Sequence, residues 1–138
     1  MCAFNDVGTY VPPMIVFPRI RMVERFMVGA PSLTLGCASK SGWMDTNLFV
    51  RWMEHFIDTV KPSPKEPHLL LLDGHMSHKS FAVMDLARKN GVIMLNFPPN
   101  ATHKIQPLDR VLYGPLKTYY NQECEKWMDA SSCWNANL

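Results

Sequence analysis

His68-Leu69-Leu70-Leu71-Leu72-Asp73-Gly74 and, after one helical stretch, Val92-Ile93-Met94-Leu95-Asn96-Phe97 are the segments that decide the fold. Each is a short, continuously apolar run of strand length, the pattern of a strand covered on both faces. Between them, residues 81–90 carry helical spacing and Gly91 supplies a stop. Strand, helix, strand predicts a βαβ unit with 68–72 as a central parallel strand and 92–97 as a second buried one. The first run delivers Asp73 to the rim of the core. A second carboxylate, Asp109 in Gln106-Pro107-Leu108-Asp109, follows far enough along for one helix and one strand to intervene. Two carboxylates meeting in a partly dry site repel by about 4 kcal/mol at ~4 Å and an effective dielectric of ~20, so they call for a cation or a shared proton. A divalent metal is the natural answer.

Upstream, residues 1–17 read as two short extended segments about Asn5-Asp6-Val7-Gly8, which predicts a hairpin. Pro12-Pro13 deny donors to its second arm, so Met14-Ile15-Val16-Phe17 lies at an edge or begins after the prolines. Residues 18–42 read as irregular, with one short strand over 33–38. Asp45 or Thr46 caps a helix reaching Val60, because Leu48, Phe49, Trp52, Met53, Phe56, Ile57 and Val60 recur at three- and four-residue spacing. Pro62, Pro64 and Pro67 end it in a loop. A last helix is expected from near Asp109 to about Met128, bent or restarted at Gly114-Pro115. No repeat or low-complexity tract interrupts the chain.

Composition bounds the setting. With 138 residues, 47% hydrophobic and 19% charged, the chain fits one globular domain with a real core. Fourteen basic against 12 acidic side chains give only +2, too little to announce a nucleic-acid binder by net charge. Cys2, Cys37, Cys124 and Cys133 form no C-x-x-C pair, which argues against a zinc ribbon or a disulfide framework and for a reducing compartment. No apolar run approaches the ~20 residues needed to span a bilayer, and the first residues do not have the form of a signal peptide. The expectation is a soluble intracellular protein without a membrane partner or small-molecule cofactor.

The ordered motifs Leu-Leu-Leu-Leu-Asp-Gly-His-Met-Ser-His at 69–78, Asn-Phe-Pro-Pro-Asn-Ala-Thr-His-Lys-Ile-Gln-Pro-Leu-Asp at 96–109 and Tyr-Gly-Pro-Leu-Lys at 113–117 carry a family resemblance. Together with Val11-Pro12-Pro13-Met14-Ile15-Val16-Phe17 and Gly42-Trp43-Met44-Asp45, they resemble the DDE superfamily endonuclease domain of the pogo-like branch of the mariner transposases, with its Tigger and jerky relatives. The resemblance covers almost the whole chain. It implies an α/β, RNase H-like mixed sheet flanked by helices, whose three acidic residues hold two Mg2+ (or Mn2+) ions on a scissile phosphodiester. Asp73 matches the second family aspartate and Asp109 the third. The strand with the first aspartate lies upstream of the segment resembling residues 1–17, so residues 1–138 are expected to form a partial domain lacking that central strand and the upstream helix-turn-helix region. Two open edges then predict marginal stability and association with other chains, a homo-oligomer among them. DNA as partner and a nuclear location follow from the same resemblance.

Metal chemistry supplies a reason for the triad, since magnesium takes oxygen ligands, keeps waters and binds through one or two protein carboxylates plus phosphate. Each residue also has a blander role. Asp73 can form an Asp-Gly turn whose side chain caps the next helix, and Asp109 can be a helix N-cap. His75 and His78 offer two nitrogens to zinc but no second ligand pair, so they read better as donors that orient a carboxylate or contact a phosphate. Ser77 has no G-x-S-x-G elbow and is discounted as a nucleophile. His103, Lys104 and Gln106 before Asp109, with Arg110 and Lys117 after it, form a modest basic patch for DNA phosphates or an ordinary solvated face. Arg19, Arg21 and Arg25 read as solvated surface. Trp43, Trp52 and Trp127 read as core rather than base-stacking residues, and the ten methionines as gap-fillers.

Two functions remain open on these residues. One is a transposase-derived nuclease that cleaves DNA and transfers the freed strand. The other is a catalytically inactive remnant or domesticated DNA- or protein-binding module. A third acidic ligand discriminates them, and Asp6, Asp45 and Asp85 are the available candidates, expected instead in a turn, at a cap and on an exposed helix face.

Overall fold

The computed structural model describes residues 1–73, 75, 80–98 and 107–132, with only the backbone at 109, 110, 131 and 132. It is a mixed α/β structure in two compact units, residues 1–99 and 100–138. In the first, β1 (Ala3–Phe4) and β2 (Tyr10–Val11) pair antiparallel about a turn at Asn5 to Gly8. Gly8 sits at φ 85°, where a residue without Cβ is favoured, and the Asn5 side chain accepts from the Thr9 amide at 2.8 Å. The hairpin is as expected, and β3 (Met14–Pro18) begins directly after the two prolines. Met1 and Met14 exchange both backbone hydrogen bonds, which ties the hairpin's first arm to β3.

Residues 18–42 hold more order than expected. β4 (Leu35–Ser39) pairs parallel with β3 along all five residues, Met14 opposite Leu35 through Pro18 opposite Ser39. A 3₁₀ turn at Glu24–Met27 lies between the two strands in sequence. Gly36 lets this segment approach, since a Cβ there would meet Met22 Cε and Met27 Sδ. Phe26 packs on Phe17 of β3, ring centroids 5.1 Å apart.

Helix α1 (Thr46–Val60) follows the predicted periodicity. The Asp45 carboxylate accepts from the Leu48 amide at 2.8 Å, satisfying one of the amides that a helix start leaves orphaned. Leu48, Phe49, Trp52, Met53 and Phe56 form its buried face, with Trp52 ring centroids 5.5 Å from Phe49 and 5.6 Å from Phe56. Lys61 ends the helix in the left-handed region, φ 55°.

The predicted βαβ unit is present. β5 (His68–Leu72), α2 (Phe81–Lys89) and β6 (Val92–Asn96) follow in order, and β5 pairs parallel with β6 from His68 opposite Val92 to Leu72 opposite Asn96. Gly91 turns the chain into β6 at φ 74°, so close to the Ser63 carbonyl that a Cβ would collide with it.

Two expectations are corrected here. The runs 68–72 and 92–97 are not buried on both faces: Leu70, Leu72 and Val92 enter the core, whereas Leu69, Leu71, Ile93 and Leu95 are exposed. Nor is β5 central, because among the described residues its sheet contains only β5 and β6. An unbroken leucine run is compatible with one covered face or two, and here a single core spans Val11, Met14 and Cys37, the α1 face, Leu70, Leu72, Val83, Ala87 and Val92. Trp52 is core as expected, but Trp43 and Trp127 are exposed.

In the second unit a π-helical turn (Leu108–Tyr113) leads into α3 (Gly114–Ser132). The α-helix thus restarts at Gly114-Pro115, as their sequence predicts. Among the described residues no helix is long and apolar enough to cross a membrane.

Candidate functional site

Asp73 stands one residue beyond the last residue of β5, at the C-terminal end of the β5/β6 pair. Burial of Leu70 and Leu72 anchors the strand, and the Phe97 amide donates to the Leu72 carbonyl at 2.8 Å, so the pairing persists to the point where Asp73 emerges. Carboxyl ends of parallel strands are the usual place for ligand chemistry in α/β sheets. The Asp73 side chain is exposed, and its Oδ1 accepts from the His75 backbone amide at 3.0 Å. This local turn holds the carboxylate at the strand end.

One expectation is corrected here. Asp73 does not cap α2: Ser80 does, its hydroxyl accepting from the Val83 amide at 3.3 Å. His75 donates to Asp73 through its main-chain amide. Ser80 is a residue type favoured before a helix, and the Asp-Gly pair upstream carries a competing signal of the same kind.

Asp109 lies in the second unit, inside the π-helical turn, with Pro107 in the cap position and no side-chain cap. The N-cap role is therefore excluded for Asp109. A π turn is widened relative to an α-helix and recurs at functional sites. Lys117 is exposed on α3. His78, His103, Lys104, Gln106 and Ser77 lie outside the described residues, as do the side chains of Asp109 and Arg110. Of the predicted set, the described contacts bring together Asp73 and His75.

The three candidates for a third acid are engaged elsewhere. Asp6 sits in the hairpin turn, Asp45 caps α1, and Asp85 pairs with Lys89 at 2.6 Å along α2. Among the described residues no three His, Cys, Asp or Glu side chains gather as a metal site. Asp73 by itself fits magnesium or manganese as one oxygen ligand, in donor type and exposure.

Comparison with known proteins agrees with this frame. The family model described as DDE superfamily endonuclease matches residues 1–133. A protein from Cochliobolus lunatus described as MFS-type transporter clz9 is 32% identical over 123 residues, 88% of this chain and 13% of its own length. Proteins described as Pogo transposable element with KRAB domain, from Homo sapiens and Mus musculus, are 26% and 25% identical over 126 residues, 91% of this chain and 18% of theirs. The chain thus spans under one fifth of the length of these relatives. No solved structure matches. A parallel strand pair ending in an exposed aspartate, inside a match that runs nearly end to end, places the chain in the DDE superfamily endonuclease family.

Proposed function

We propose that residues 1–138 are part of a transposase-derived DDE-type nuclease domain acting on DNA in the nucleus, with Asp73 and Asp109 as two of its metal-binding carboxylates. The position of Asp73 carries the reading: an exposed carboxylate fixed at the carboxyl end of a parallel strand, in a chain of this family. The RNase H-like arrangement, with a strand seated beside β5, belongs to the same proposal. Among the described residues β5 has no strand partner other than β6, which is compatible with it.

When bound, Mg2+ or Mn2+ supplies charge stabilisation for in-line displacement at a phosphodiester. Asp73 would hold it through the carboxylate, and the His75 amide would keep that carboxylate turned to the strand end. Asp109, in the π turn, would supply a second carboxylate. His75, His78, His103, Lys104, Gln106, Arg110 and Lys117 would position the DNA through its phosphates. None of Asp6, Asp45 and Asp85 is placed to complete the set, so cleavage calls for a third carboxylate from another source.

That last observation favours a second reading, a noncatalytic DNA- or protein-binding module. Titration with Mn2+ and a plasmid-nicking assay test both, using this chain and one extended upstream. The nuclease reading expects metal affinity to fall at least tenfold in Asp73→Asn and nicking by the extended chain to vanish with it. Metal affinity unchanged in both Asp73→Asn and Asp109→Asn overturns the site. DNA binding without metal-dependent nicking in the extended chain selects the binding module.

A further inference from the structure

We propose that the cleft between the end of β4 and the first turns of α1 is a contact surface for single-stranded DNA, with Lys40 and Arg51 on backbone phosphates and Trp43 stacked on a base. The inference rests on the DNA reading above and adds to it a surface remote in sequence from Asp73.

β4 ends at Ser39, where the Arg19 amide donates to the Ser39 carbonyl at 3.0 Å and closes the pairing with β3. The chain then turns sharply. Gly42 takes φ 74°, its amide reaching the Ser39 carbonyl at 3.1 Å, while a Cβ there would press on Pro18. The Ser39 hydroxyl donates to the Trp43 carbonyl at 3.1 Å, and the Trp43 amide donates to the Ser41 hydroxyl at 3.2 Å. Trp43 is thereby pinned by its backbone to two residues that line the cleft, yet its residue surface is 78% exposed.

The cleft measures about 470 Å3, and its lining includes Ser39, Lys40, Ser41, Asp45, Asn47 and Arg51. That volume lies in the ~300–1,000 Å3 range of pockets that accept small ligands, enough for a nucleotide. Asp45 directs its carboxylate to the α1 amide of Leu48. Lys40 and Arg51 are exposed and form no ion pair among the described residues, so the lining carries two cations against one anion. Cations that track phosphates beside an aromatic ring that takes a base face are the working parts of single-strand binding. Ser39, Ser41 and Asn47 supply neutral donors to the same anionic oxygens.

The test is fluorescence anisotropy of a labelled 15-nucleotide oligothymidine with the 138-residue chain, from about 50 to 200 mM salt. The double variant Lys40→Ala/Arg51→Ala is expected to bind at least tenfold more weakly, with a log–log salt slope shallower by about 1.4, two phosphate contacts at ~0.7 each for a single strand. Trp43→Ala is expected to lose about tenfold and Trp43→Phe to retain binding within about threefold, because stacking needs a ring rather than indole. All three side chains are exposed, and far-UV circular dichroism confirms that each variant folds. Wild-type binding that the variants leave unchanged overturns the cleft while the DNA reading stands. Absence of wild-type binding at low salt overturns the DNA reading and the cleft with it.

Discussion

The β3/β4 and β5/β6 pairs are the same object at the level of the backbone, five-residue parallel ladders that each place one face on the core under α1. Their second faces differ. On β3/β4 they are Ile15, Phe17, Gly36 and Ala38: Met22 and Met27 close over Gly36 and Phe26 packs on Phe17, while Ile15 stays exposed. On β5/β6 they are Leu69, Leu71, Ile93 and Leu95, and all four are exposed. The absence of a side chain at Gly36 lets the segment around the 3₁₀ turn close on that face. The four aliphatic side chains of β5/β6 stay open, which is the more costly arrangement by roughly 25 cal/mol for each Å2 of apolar surface left in water.

The comparison breaks most readily on β5 itself. Leu72→Ala is expected to cost about 3 kcal/mol and Leu71→Ala less than about 1, read as shifts in urea midpoint at constant slope. Equal costs would mean that the exposed face is covered in solution. Next in size are two glycines. Gly91→Ala drives a Cβ into the Ser63 backbone at positive φ and is expected to cost about 2 kcal/mol, whereas at Gly36 the obstacles are two flexible methionine side chains, at Met22 Cε and Met27 Sδ, and the cost is about 1 kcal/mol.

Leu69→Gln with Leu71→Gln is expected to change stability by less than about 1 kcal/mol and to lower concentration-dependent light scattering, since it removes apolar area without entering the core. Unchanged scattering would free the open face of any part in association. The smallest effect concerns Cys37, on the core face of β4. Burial raises its thiol pKa above 9.0, against a smaller opposing pull from Arg51. The unfolded chain releases that proton first, so stability falls as pH climbs above 9 toward the raised value. Native-state alkylation should reach Cys2 and Cys124, both partly exposed, well before Cys37.

What could be read from the residues follows the same contrast. Helix α1 was legible because its period is unambiguous, its cap is an aspartate and three prolines close it. β5 and β6 were legible as strands, but an unbroken apolar run has no alternation from which to count covered faces. β4 was only partly legible: Gly36, Cys37, Ala38 and Ser39 have little strand propensity, and pairing with β3 makes them a strand. Trp43 misled because aromatic residues near a helix start read as core, while the Gly42 turn carries this one outward. At the candidate site the position of Asp73 was plain from where the leucines stop. The identity of the α2 cap was not, because Asp73 and Ser80 are both residue types favoured before a helix.

α1 contributes Leu48, Phe49, Trp52, Met53 and Phe56 to the one core that also takes in residues of both ladders. A two-stranded ladder alone in water is marginal at best. The first unit therefore has no partial form to retreat to: losing the helix releases the two ladders together. Amide exchange in β4 and in β5, strands of separate ladders, should then proceed through a single shared opening, and residues 1–99 should behave as one cooperative foldon.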